Sequence, residues 1–226
     1  MRVRVAIFLC AVLTGLIVVY TLYKGVNTLN RLSVVEADRD QWQKPETIIA
    51  ALQLRDDSVV ADIGSGAGYF ALKLSRRVSR GRVYALDSQR LPLSFLWIRA
   101  LLGSLHNISI RNADAAAPGL PPHSLDAVLI ANTYHEFSHP DEILDQLHKS
   151  MKAGGRLVVV DHTHARSSRE SHDENEHQVE ADAVEAGLRR QGFQIVDRRN
   201  LFVHPESGDA WWLLAAISRS PAPLAP

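Results

Sequence analysis

The run VVADIGSGAGYF, from Val59 to Phe70, decides how this chain folds. Apolar residues interrupted by Asp62 give way to Gly64, Gly66 and Gly68 and then resume at helical spacing, the pattern of a buried strand, a tight turn and a helix. Glycines at such a turn let the backbone reach conformations closed to other residues and let a ligand approach the main chain. The new helix adds unpaired N–H groups at the same place. The stretch is therefore read as a cofactor cradle.

Working outward, the same alternation repeats. Strands are expected at Arg82–Asp87, Ile108–Arg111, Leu125–Ala131 and Arg156–Asp161, with helices at about Tyr69–Val78, Leu93–Leu102 and Pro140–Met151 and a turn at Gly154-Gly155. A charged, histidine-rich segment, Arg166–Asp182, leads into a helix over about Glu174–Arg190. Two further strands, Phe193–Val203 and Ala210–Ile217, flank a turn at Pro205–Gly208. Strands alternating with helices predict an α/β fold: a Rossmann-like, doubly wound, mainly parallel seven-stranded sheet. The short final connection predicts an antiparallel last strand. Upstream, Asn27–Leu54 is polar and helix-compatible, with Pro45 in the first turn of a helix carrying Ile48, Ile49 and Leu52.

The 226 residues hold 25 Lys and Arg against 25 Asp and Glu, so the overall charge does not suggest a polyanionic partner such as nucleic acid. One cysteine, Cys10, excludes an intrachain disulfide and a cysteine metal cluster. Val5–Tyr23 is 19 residues without a charge, long enough to span a bilayer, and no small-residue cleavage site follows it. It is read as a membrane anchor, with a cleaved signal peptide as the competing reading. Arg2, Arg4 and the amino terminus on one side balance Lys24, Arg31 and Arg39 on the other, so charge alone assigns no orientation. The expected layout is an anchor over 1–25, a linker and lead-in helix over 26–57, an α/β domain over 58–218 and a frayed tail over 219–226.

In such a sheet, ligands sit beyond the carboxyl ends of the strands. Gly64–Gly68, Asp87, Asp114, Asn132–Glu136 and Asp161–His164 should therefore face one cleft. The third glycine comes one position earlier than in a Gly-x-Gly-x-x-Gly dinucleotide fingerprint, and no phosphate-loop lysine is present. Asp87 is placed to accept from two ribose hydroxyls and Asp114 from an adenine amine. That combination reads adenosine without reading a pyrophosphate.

Ala61–Gly68, Asp87, Asn112-Ala113-Asp114 and Lys152–Leu157, in this order and spacing, resemble the class I S-adenosylmethionine-dependent methyltransferases over about Asp40–Ile217. Arg39–Pro45 (RDQWQKP) resembles a lead-in helix of a bacterial branch of that family. The resemblance implies S-adenosyl-L-methionine as cofactor. It also implies that the loop of Gly64, Ser65, Gly66 and Gly68, with Asp62, holds the methionine part, that Asp87 holds the ribose, and that Ala113 and Asp114 flank the adenine. Asn132 is assigned to the same site. Methyl transfer needs alignment and, for some acceptors, a base. His135 in Asn132–Glu136 is the candidate base, its alternative role being to brace the loop through Glu136 or backbone.

The segment is not the Asn/Asp-Pro-Pro-Tyr element of amino-directed methylases, which points away from nucleic-acid acceptors and toward a small or lipophilic one. Cofactor supply would place the domain on the cytoplasmic side. His135, Glu136, His139, Asp161, His162, His164, His172 and His177 could also gather around a metal, but without a tight ligand spacing they are read as a solvated surface, and no metal is assigned. A nicotinamide-dependent oxidoreductase and a non-catalytic member that binds a ligand or a membrane partner are the rival readings.

Overall fold

The computed structural model describes residues 2–163, 179–203 and 210–219, with side chains from residue 11 onward. The expected histidine-rich segment, the Pro205–Gly208 turn and the C-terminal tail lie outside the described residues, as does the start of the helix read from Glu174. The chain divides into two compact units, residues 1–41 and 42–226.

The first unit is most of a single helix, α1 (Arg2–Gln43). Its apolar residues are exposed on all sides, among them Leu13, Leu16, Val19 and Leu22. Among the described residues it is the one helix long and apolar enough to cross a membrane by length and composition.

The second unit begins with Trp42 and Gln43, the last two residues of α1, and α2 (Pro45–Ala51). It continues as β1 (Val59–Ile63), α3 (Tyr69–Arg77), β2 (Arg82–Asp87), α4 (Arg90–Leu102), β3 (Ile108–Asn112) and β4 (Leu125–Ala131), then a 3₁₀ turn (Tyr134–Glu136), α5 (Pro140–Ser150), β5 (Met151–Thr163), α6 (Ala181–Arg190), β6 (Phe193–Val203) and β7 (Ala210–Ser218). The sheet runs β3-β2-β1-β4-β5-β7-β6. All pairs from β3 to β5 are parallel, and β7 is antiparallel to both neighbours, as the short connection from β6 predicts.

Because successive strand residues point to opposite faces, one apolar run feeds two cores. Val60, Leu129 and Val158 pack with Ile48, Leu74 and Leu96 on one side. Val128, Val159 and Leu214 pack with Leu144, Leu147 and Leu188 on the other. The strand order reverses between β1 and β4, which opens the crevice beyond their carboxyl ends.

Several boundaries differ from expectation, among them that of α6, which is read from about Glu174 and starts at Ala181 after the extended Glu180. The helix read from Leu93 starts at Arg90, before Pro92, because a proline fits the first turn of a helix. β5 begins at Met151 and runs through Gly154-Gly155, where a turn was expected. Met151 pairs with Leu125 and Arg156 with Ala127, so the extra residues form a bulge, with Gly154 at φ 76°.

Candidate active site

The glycine loop is folded back on β2. The N–H groups of Gly64 and Ser65 both donate to the Leu86 carbonyl at 2.9 Å, and that of Gly66 donates to Asp87 Oδ2 at 2.8 Å. Gln89 N–H donates to the other carboxylate oxygen at 2.8 Å. Asp87 thus ties the loop to the strand end with one hydrogen bond per oxygen, leaving further lone pairs for a ligand. Gly64 (φ 74°) is pressed so close to the turn after β4 that a Cβ would lie 2.2 Å from Thr133 Oγ1. Gly66 (φ 52°) is the opposite case, since a Cβ there would meet open space.

Beyond these strand ends lies a cleft of about 310 Å³ lined by Gly64, Asp87, Ala113, Asp114, Thr133, Glu136, Phe137 and His139, among others. Of the expected cofactor residues, Gly64, Asp87, Ala113 and Asp114 border it. Asp114 also caps its own turn, accepting from Ala116 N–H at 2.9 Å. Asp62, Ser65, Gly66, Gly68 and Asn132 do not border the cleft. Asp62 and Ser65 are buried beside it, and Asn132 sits at φ 56° with its N–H on the Val160 carbonyl at 2.7 Å. Ser65 Oγ and Asn132 Oδ1 are buried polar atoms with no hydrogen-bond partner among the described residues. Orphaned polar atoms around a glycine cradle, an open backbone at Gly66 and a carboxylate with spare acceptor capacity suit a zwitterionic nucleoside such as S-adenosylmethionine.

A second constellation sits at the ends of β4 and β5. These strands are parallel neighbours, with Ala131 opposite Val160, so the turn after β4 meets Asp161. Asp161 is fully buried and accepts from His135 N–H at 3.1 Å and His162 N–H at 2.9 Å. His135 Nδ1 lies 2.9 Å from its Oδ1 and 3.1 Å from its Oδ2. Burial would push the Asp161 carboxyl up, but these hydrogen bonds and the His135 charge outweigh it and hold the group at about 2. The Asp161 hydrogen bond in turn raises His135 above its ordinary 6.5.

With Asp161 ionised, neutral His135 carries its proton on Nδ1 and turns the lone pair of Nε2 outward. Glu136, weighed above as a partner for His135, lies 3.9 Å from Nε2, so the close partner is Asp161. His162 stacks on Trp211 at 4.9 Å, and Trp211 meets Trp42 at 5.2 Å. The ligand atoms of His135, Asp161 and His162 lie within 4.8 Å of one another. His164, His172 and His177 lie outside the described residues. Thr133, which closes over Gly64 and lines the cleft, belongs to the Asn132–Glu136 stretch expected to face it, although the sequence assigns it no role of its own. Its position directly after Asn132 was the available signal.

Residues 61–159 match the family model described as a methyltransferase domain. This part of the chain belongs to the class I S-adenosylmethionine-dependent methyltransferase family. A demethylmenaquinone methyltransferase of Thermus thermophilus is 30% identical over 133 residues, 59% of each chain. A ubiquinone/menaquinone biosynthesis C-methyltransferase, UbiE, of Pseudomonas entomophila is 34% identical over 110 residues, covering 48% of this chain and 43% of that one. The chain thus spans about half the length of these curated relatives.

Among solved structures, a SAM-dependent methyltransferase from Aquifex aeolicus superposes with a TM-score of 0.66 at 24% identity, over 77% of this chain and 89% of its own. Haemonchus contortus phosphoethanolamine N-methyltransferase 2, solved with S-adenosyl-L-methionine, superposes at 0.69 and 14% identity over 79% and 53%. Both share the fold. The family assignment decides against the nicotinamide reading and accounts for the early third glycine.

Proposed function

We propose that this protein is a membrane-anchored S-adenosylmethionine-dependent methyltransferase acting on a small, lipophilic acceptor. The observation that carries the reading is the cleft in which Gly64, Asp87 and Asp114 meet beneath the methyltransferase-domain loop. When bound, the cofactor supplies an electrophilic methyl group on a sulfonium. In this reading Asp87 orients the ribose, Ala113 and Asp114 border the adenine, and the loop of Gly64, Ser65, Gly66 and Gly68, with Asp62 and Asn132, holds the methionine end.

His135 accepts the acceptor's proton at Nε2 while Asp161 holds its Nδ1–H and stabilises the cation that forms. The buried carboxylate makes His135 a stronger base without being protonated itself. The printed names of the relatives direct the search for the acceptor toward quinol-like rings, whose hydroxyl proton such a base can take, and the exposed apolar α1 agrees with a lipid-soluble acceptor. The protein is then a single-pass membrane protein with the α/β unit on the cytoplasmic side, where the cofactor is made.

The test is calorimetric binding of S-adenosylhomocysteine, with methyl transfer from labelled cofactor into membrane-lipid extracts. Asp87→Ala should weaken binding roughly ten- to hundredfold, the loss expected for charge-assisted hydrogen bonds. A folded protein that fails to bind S-adenosylhomocysteine would overturn the reading. Binding without transfer to any lipid fraction would favour the non-catalytic alternative.

A further inference from the structure

The helices of the α/β unit do not treat solvent alike. On α3 the outward residues include Lys73, Arg76 and Arg77, on α5 Asp141, Glu142, Asp145 and Lys149, and on α6 Asp182, Glu185 and Arg189. α4 reads RLPLSFLWIRALL and has no acidic residue. Leu93, Leu96 and Ala100 face the core, while Leu91, Trp97, Leu101 and Leu102 stand 70, 59, 60 and 73% exposed. Phe95 and Ile98 are half-buried between them. The helix is apolar on its outer face as well as its inner one, a pattern otherwise found in helices covered on all sides. Here the outer face lies open.

We propose that this outer face is a membrane-docking surface that seats the α/β unit on the headgroup boundary of an anionic bilayer. Two features select a bilayer as the occupant. The face combines exposed leucines and a tryptophan with the exposed cation Arg90 at the start of the helix and no acidic residue along it, which matches apolar acyl chains beneath anionic headgroups. The chain also carries, in α1, a segment of bilayer-spanning length and composition, so a lipid surface would be present at high local concentration. This second argument rests on the anchor reading proposed above.

The surface adjoins the cofactor site. α4 starts three residues after Asp87, Arg99 Nη1 donates to the Ala67 carbonyl at 2.7 Å, and a Cβ at Gly68 would lie 2.3 Å from Leu96 Cδ1. Docking on this face therefore brings the support of the glycine loop to the lipid, beside the cleft that a lipid-soluble acceptor must reach.

Tryptophan fluorescence tests the contact in the full-length chain. Of the four tryptophans, Trp97 is the exposed one, whereas Trp211 and Trp212 are buried and Trp42 packs against Trp211. The protein is reconstituted into phosphatidylcholine–phosphatidylglycerol vesicles with and without bromine-labelled acyl chains, and vesicle flotation is measured on the same samples. The expected result is loss of the Trp97 emission, seen as the difference between wild type and Trp97→Phe, in the brominated vesicles. Equal quenching of both proteins overturns the proposal.

Flotation separates the two readings: protein that floats with Trp97 unquenched keeps the anchor and loses the docking surface, whereas protein that does not float loses both. As a second probe, Cys10→Ala with Leu102→Cys carries an environment-sensitive thiol dye, with Arg76→Cys on α3 as control. A blue shift confined to position 102 is expected. The same shift at both positions, or at neither, overturns the proposal.

Discussion

His135 and Asp161 show what a pair of hydrogen bonds, one from the backbone and one from the ring, can arrange. The imidazole is 24% exposed at its side chain and the carboxylate is fully buried, so the ring is held on a fixed mount with Nδ1 on the carboxylate. If His135 acts as the base, kcat/KM rises with pH through an apparent value above 6.5, because only the neutral ring accepts a proton. Asp161→Asn should move that inflection down and cost roughly 10²- to 10⁴-fold in rate, whereas a purely structural role would leave the pH profile unmoved.

Stability has its own sign for each partner. The Asp161 carboxyl is depressed to about 2 from 3.8, so its contribution, about 2 kcal/mol, is complete above the unfolded value and is lost as pH falls from about 4 to 2. The His135 contribution is complete below 6.5 and is lost as pH rises through the raised folded value. Denaturant titrations of wild type and Asp161→Asn across that range measure both. Gly64→Ala puts a Cβ against Thr133 at a positive φ, and should cost about 1–3 kcal/mol by thermal melting and weaken cofactor binding.

Among the elements, β5 does the most to assemble the site. Its parallel register with β4 sets Asp161 beneath the 3₁₀ turn, and its antiparallel register with β7 sets His162 against Trp211. The line Trp42–Trp211–His162 thereby ties the start of the unit to the site. Trp211→Ala should cost about 3–5 kcal/mol in denaturant unfolding. Trp211→Phe should cost much less, because the ring contacts stay and the lost indole N–H is buried without a partner among the described residues.

The order of the elements was legible because each strand is a local apolar run and each turn carries its own glycine or proline. The His135–Asp161 pair was not, since those residues are 26 positions apart and meet only through strand pairing. The β5 bulge was hidden for a related reason: Gly154-Gly155 suits a turn as well as a bulge, and only pairing with Leu125 selects between them.

At the scale of the molecule, a long exposed apolar helix and a separate α/β unit make a chain expected to stay with membranes through alkaline carbonate extraction. On the orientation proposed above, a reporter fused at the carboxyl terminus should be active on the cytoplasmic side. Recovery in the carbonate supernatant would contradict the anchor. α4 makes the same point about scale. In sequence it reads as one more apolar helix of an α/β fold, and only the packed unit leaves its outer face uncovered.

Sequence alone determined the strand–glycine–helix start, the acidic residues at the ends of β2 and β3, the seven strands and the reversed last one. These follow from periodicity and turn chemistry, which act over a few residues. Tertiary structure decided that Gly64 lies against Thr133, that Asp87 bonds the Gly66 backbone, that Asp161 rather than Glu136 holds His135, and that α4 has an apolar side facing outward. Each of these depends on which surfaces the sheet brings together or leaves apart. Distances across strands and exposure to solvent exist only once the chain is packed.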